Sequence, residues 1–68
     1  GEKRGLRHRR SIYAVRELKK RKTFTEENIK SIRPGQGLLP KYYDEILGKK
    51  AKKDILFGTP LGWELIEN

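Results

Sequence analysis

Residues 51–67 read AKKDILFGTPLGWELIE and residues 14–30 read AVRELKKRKTFTEENIK, and the two align without a gap at an offset of 37 residues. Ala14 meets Ala51, Glu17 meets Asp54, Leu18 meets Ile55, Phe24 meets Leu61, Glu27 meets Glu64 and Ile29 meets Ile66. Acid falls on acid and apolar on apolar, so the chain carries one structural unit twice. Each unit reads as strand, turn, short strand and helical turn. Neither is long enough to close a core alone, so the two are expected to pack about a pseudo-twofold axis with their apolar positions shared. Trp63 is expected near that shared core. At the tight turn the second repeat has Gly58 and the first has Arg21. Glycine takes a left-handed backbone freely, so either Arg21 tolerates that conformation or the first turn is built differently.

Outward from the repeat, Ile12, Tyr13, Ala14 and Val15 form a run rich in β-branched and aromatic residues, as a buried strand does. Thr23 and Phe24 resume an extended segment. Thr25 then caps a helical turn whose Glu26 and Glu27 suit a helix N-terminus, and the turn is expected to end near Lys30. A second short helix begins at Pro40, carries Asp44 and Glu45 early and is closed by Gly48. Its spacing turns Tyr43, Ile46 and Leu47 inward and leaves Tyr42 more exposed. Lys49, Lys50, Lys52 and Lys53 read as a solvated face or edge strand. Residues 1–10 hold five basic side chains (Lys3, Arg4, Arg7, Arg9, Arg10) and one aliphatic residue. Such a segment buries too little to order itself and reads as a basic interdomain linker or flexible arm, with the folded domain spanning residues 11–68.

Between the repeats lies the stretch with the most chemical character, SIRPGQG at residues 31–37. Pro34 steers Arg33 away from helical backbone, while Gly35 and Gly37 let the loop turn or come close to a neighbour. Arg33 is thereby a presented side chain. A planar, permanently charged fork on a stiff backbone suits recognition of carboxylate, phosphate or amide oxygens.

Composition narrows the function classes. A chain of 68 residues buries only about 60% of the surface that its unfolded form exposes, which leaves no room for a deep catalytic pocket of its own. It contains no cysteine, so neither a disulfide nor a thiolate is available. His8, the only histidine, lies in the basic arm and lacks the partners that a metal site or a catalytic base needs. No apolar run approaches a membrane span and no signal core follows the basic start, so a cytoplasmic setting is expected. Lysine and arginine outnumber aspartate and glutamate by 17 to 9, a field that favours anionic partners without naming one. The absence of methionine, even at the start, suggests a piece of a longer protein.

The opening SIYAV, FTEENI followed by SIRPGQGL, YYDEILGKKA and the closing DILFGTPLGWELIE together resemble the antifreeze-like or SAF domain of sialic acid synthases. The resemblance covers Ser11 to Glu67 and extends to type III antifreeze proteins. It implies a β-clip fold: mainly β, with short, mostly irregular strands and single helical turns wrapped into a pretzel-like unit. Arg21 departs from the family, which usually has glycine at that turn.

The resemblance further implies a transferase in N-acetylneuraminate biosynthesis, which condenses phosphoenolpyruvate with N-acetylmannosamine or its phosphate. Catalysis would belong to a TIM barrel using a divalent metal, so no catalytic residue, metal or cofactor is assigned to this chain. In a domain-swapped homodimer the domain would cap the partner subunit's barrel. Arg33, which matches the arginine of the family's Arg-Pro-Gly motif, would bind the acceptor sugar with Pro34, Gly35 and Gly37 in support.

Three other readings compete. Ice binding calls for a flat, weakly polar face, yet the corresponding positions include Arg16, Arg21, Glu26 and Glu27, and only Thr23, Thr25 and Asn28 suit it. Nucleic-acid binding draws on the net charge of +8 and on Tyr42 as a stacking platform. No nucleic-acid motif accompanies the charge, so only loose, salt-sensitive association is expected. The third is carbohydrate binding as a SAF module of another sugar-acid enzyme or of an assembly protein.

Overall fold

The computed structural model describes residues 9–67. Most of the expected arm, with His8, lies outside the described residues, as does Asn68. Strand β1, Ser11–Ala14, pairs antiparallel with β2, Ile29–Ile32, setting Ser11 against Ile32 and Ala14 against Ile29. A 3-10 turn at Pro40–Tyr42 runs into a short α-helix, α1, at Tyr43–Ile46. Strand β3, Lys50–Ala51, pairs with β4, Ile66–Glu67, which follows a second 3-10 turn at Trp63–Leu65.

The second sheet is the first displaced by one repeat, since Ala14 opposite Ile29 becomes Ala51 opposite Ile66. The hydrogen bonds between repeats follow the same rule. Ala14 N donates to Thr59 O at 2.9 Å, and its counterpart Ala51 N donates to Lys22 O at 2.8 Å. Gly58 N reaches Ala14 O at 2.7 Å, as Arg21 N reaches Ala51 O at 2.7 Å. Leu61 N donates to Ile12 O at 2.9 Å, mirrored by Phe24 N to Lys49 O at 2.8 Å. At the axis Leu18 and Ile55 exchange both bonds, at 2.8 and 2.7 Å. Each repeat therefore completes its backbone pairing on the other, and neither satisfies its own polar groups alone.

Shared burial follows the shared pairing. Leu18 with Ile55, Phe24 with Leu61, Ala14 with Ala51 and Ile29 with Ile66 all enter the core, joined by Ile12, Ile46 and Leu65. Burying a side chain of the size of Phe24 or Leu61 stabilises by about 1.5–3 kcal/mol, so these matched pairs are the main glue between repeats. Positions 28 and 65 are buried in both repeats, although one is polar and the other apolar. Asn28 is accommodated because its Oδ1 accepts from Thr25 N at 2.8 Å and its Nδ2 donates to Thr23 O at 3.0 Å.

Arg21 takes the left-handed backbone, at φ 73° against 86° for Gly58, so the first turn is built like the second despite its arginine. Gly48, at φ 90°, ends the helical segment as expected. Three expectations are corrected. The segment after Thr25 is a turn over residues 26–28, and Ile29–Ile32 is a strand instead of a helical end, because β1 offers it a ladder. Trp63 lies 42% exposed instead of near the core. Tyr42 is half-buried like Tyr43, its ring meeting the edge of Trp63 at 5.3 Å and 75°.

Candidate functional site

Arg33 leaves the end of β2 and is exposed, while the backbone just after it is held firmly. The Arg33–Pro34 peptide bond is cis. The Pro34 carbonyl accepts from Tyr13 Oη at 2.7 Å, from Gln36 N at 3.0 Å and from Ser11 Oγ at 3.1 Å. Ser11 is fully buried, and its Oγ also accepts from Gly37 N at 2.9 Å. One buried hydroxyl thus ties the two ends of the Pro-Gly-Gln-Gly turn to the start of β1. Farther along, Leu38 N donates to Leu61 O and Ile12 N to Leu38 O, both at 2.9 Å, which moors the loop to the second repeat and to β1.

Gly37 is required for this mooring. A Cβ there would lie 2.9 Å from Ile12 O and 3.0 Å from both Leu61 N and Leu61 O, all backbone atoms that cannot swing aside. Its bareness serves packing against the chain itself. At Gly35 an added Cβ would stand 3.0 Å from Arg9 Cβ, so the loop also runs close beside the chain entering β1. The sequence-predicted residues Arg33, Pro34, Gly35 and Gly37 therefore form one loop, with Arg33 pointing outward and the other three fixing it. Sequence reasoning missed Ser11 and Tyr13, the anchors of that loop. A serine opening an apolar strand was the only available signal.

Beside Arg33 lies a recess of about 330 Å³ lined by Arg10, Ser31, Ile32 and Arg33. Lys41 Nζ sits 5.2 Å from the centre of the Tyr42 ring, extending the exposed cluster around Trp63. Tyr43 has its phenol pushed above the usual value, first by burial and then by the nearby charges of Glu26 and Asp44. Among the described residues no three His, Cys, Asp or Glu side chains gather to hold a metal ion, and no helix is long and apolar enough to cross a membrane.

On the face considered for ice, Arg16, Arg21, Glu26 and Glu27 are exposed, whereas Asn28 is buried with both amide ends engaged inside. Arg16 Nε donates to Glu27 O at 3.3 Å across that face. The two exposed charge types, with Asn28 withdrawn, leave a strongly hydrated surface.

Comparison with known proteins places this geometry. Residues 9–67 match the SAF domain family. The pseudaminic acid synthase of Campylobacter jejuni is 60% identical over 52 residues, 76% of this chain and 15% of that protein. The N,N'-diacetyllegionaminic acid synthase of Legionella pneumophila is 37% identical over 59 residues, 87% of this chain and 17% of that protein. The chain thus spans only about a sixth of the length of these relatives. Among solved structures, the spore coat polysaccharide biosynthesis protein spsE of Bacillus subtilis matches with a TM-score of 0.86 and 33% identity, covering 100% of this chain and 20% of that one. The antifreeze-like domain of human N-acetylneuraminic acid phosphate synthase shares the fold, with a TM-score of 0.78 at 19% identity over 85% of this chain and 75% of that one. The pseudo-twofold fold and these likenesses agree: the chain belongs to the SAF domain family, and the relatives it matches here by sequence are sugar-acid synthases.

Proposed function

We propose that this domain is the acceptor-facing module of a sugar-acid synthase and that Arg33 is the group it delivers. The observation that carries the reading is the clamp on Pro34, where three donors fix the carbonyl beside an arginine that remains exposed. An anchored backbone limits the entropy lost when the guanidinium engages a ligand, so more of the hydrogen-bond energy appears as orientation of the substrate. Carbon–carbon bond formation from phosphoenolpyruvate would occur in the remainder of the synthase, on a TIM barrel of the partner subunit in a domain-swapped homodimer in the cytoplasm. A divalent ion used there would be held outside this domain. The 60% identity to a pseudaminic acid synthase favours the acceptor of that enzyme over N-acetylmannosamine. Arg33 would donate to the acceptor's acyl oxygen or to its phosphate, positioning the sugar and helping to exclude water.

Steady-state kinetics of the synthase carrying Arg33→Ala and Arg33→Lys test this reading. Loss of a charge-assisted hydrogen bond is worth about 1.5–3 kcal/mol, so Arg33→Ala should lower kcat/KM for the acceptor roughly ten- to a hundredfold, with the fold intact. Arg33→Lys should recover part of the loss, because a point charge replaces a planar fork. Wild-type kinetics in both variants would sink the reading.

A further inference from the structure

We infer that Arg10 and Arg33 together form an oxyanion site, a carboxylate or phosphoryl group being held between two guanidinium groups at the open end of the first sheet. The inference deepens the proposed role of Arg33 and rests on it. Its basis is where the ladder ends: Ser11 is opposite Ile32, and the residues just beyond the two strand ends are Arg10 and Arg33. Both line the same recess of about 330 Å³, together with Ser31 and Ile32. Ser31 is half-buried and lies one step inside Ile32, so the recess carries a hydroxyl beside the two cations.

Like charges gathered at one recess repel, and a folded protein usually separates them or sets a carboxylate between them. Among the described residues the ion pairs are Lys19 with Glu17 and Arg21 with Glu67, and neither touches this recess. The backbone on either side of the recess is also held. The clamp on Pro34 anchors the chain next to Arg33, and the chain at Arg9, next to Arg10, runs close beside Gly35. An incoming oxyanion relieves the repulsion and accepts from both forks, so its binding gains from a cost already met in folding. A lysine at either position would provide charge without the paired donors. The recess is open, so it suits the end of a substrate and not a fully enclosed ion. Ligand oxygens of the substrate, and not a carboxylate of the neighbouring protein, are the assigned occupants.

The test uses inorganic phosphate and acetate with the 68-residue chain, following the arginine Nε–H resonances by NMR at constant ionic strength. The Arg10 and Arg33 signals should move together along one binding curve. Arg10→Gln should weaken phosphate binding at Arg33 by at least about tenfold, the equivalent of one lost charge-assisted hydrogen bond. Arg16→Gln, which removes an equal charge elsewhere, should leave that curve within about twofold, since screened surface charges contribute little. Equal weakening by Arg10→Gln and Arg16→Gln, or none from Arg10→Gln, would overturn the site.

In the synthase, Arg10→Gln should raise KM for the acceptor by a similar factor. If it instead leaves that KM unchanged and lowers thermal stability, a protein carboxylate fills the recess and the assignment is wrong. If Arg33→Ala costs acceptor affinity while Arg10→Gln does not, the paired site fails and the role of Arg33 stands. If neither variant has an effect, both fall.

Discussion

Replacing Ser11 by alanine removes one buried oxygen that serves two partners, and the loss can be worked out from the structure. The Ser11 Oγ donates to Pro34 O at 3.1 Å and accepts from Gly37 N at 2.9 Å. Pro34 O keeps Tyr13 Oη and Gln36 N, so on that side the change costs little. Gly37 N has no alternative, because it faces Ser11 and its α-carbon is wedged against Ile12 O and Leu61. One orphaned donor costs about 1–3 kcal/mol, and with the lost bond to Pro34 the total should be roughly 2–3 kcal/mol. Domains of this size have about 3–10 kcal/mol of stability, so the change takes a large share. The expected fall in Tm is roughly 10–20 °C. Tyr13→Phe is the internal control, because it removes one of three donors to a carbonyl with two lone pairs and should cost no more than about 1 kcal/mol. Guanidinium denaturation followed by circular dichroism gives both values, and hydrogen exchange at the Gly37 amide gives the local opening. Equal losses for the two variants, or unchanged Gly37 exchange in Ser11→Ala, would mean that the Ser11 hydroxyl does not hold the loop.

Two further outcomes follow from the backbone and from charge. Gly58→Ala should destabilise by about 0.5–1 kcal/mol and Arg21→Gly should stabilise by up to a similar amount, since φ is positive at both positions, 86° and 73°. Nothing stands within 4 Å of a Cβ at Gly58, and the Arg21–Glu67 pair at 3.8 Å is largely exposed, so conformation alone sets the signs; thermal melts showing the same sign for both would contradict this. For Tyr43, burial raises the folded-state phenol pKa above its unfolded value of about 10, so its contribution to stability is complete below that pH and is lost as pH rises through the folded value. The ultraviolet difference between wild type and Tyr43→Phe should titrate above pH 10, and the variant should lose less stability there; a midpoint at or below 10 would oppose the assignment.

How far the sequence reached depended on whether a feature was repeated or local. The match between residues 14–30 and 51–67 foretold which side chains meet in the core, because matched positions in a twofold arrangement share one environment. It also contained the correction for Trp63, whose counterpart is Glu26, an exposed position in the first repeat. Large size and apolar character suggest an inward tryptophan, but the register places it outside. The strand Ile29–Ile32 was hidden because Thr25 to Asn28 carries the side chains of a helix start, and the ladder that makes Ile29 extended is supplied by β1, far away in sequence. Strands of two residues, β3 and β4, are too short to express a period of two. At the site, proline and glycines made the Arg33 loop legible, since their effect on the backbone is local. The clamp through Ser11 and Tyr13 was not, because a hydroxyl says nothing about a carbonyl more than twenty positions away until the chain is folded.

Whether the anchored loop presents the Arg33 guanidinium to the acceptor sugar is tested most directly by the structure of an intact synthase carrying this domain with that sugar bound. Arg33 nitrogens are expected at about 2.7–3.2 Å from acceptor oxygens, with the bonds of Ser11 and Tyr13 to the Pro34 carbonyl retained. An acceptor bound with Arg33 directed into solvent, beyond the reach of any of its oxygens, would contradict this.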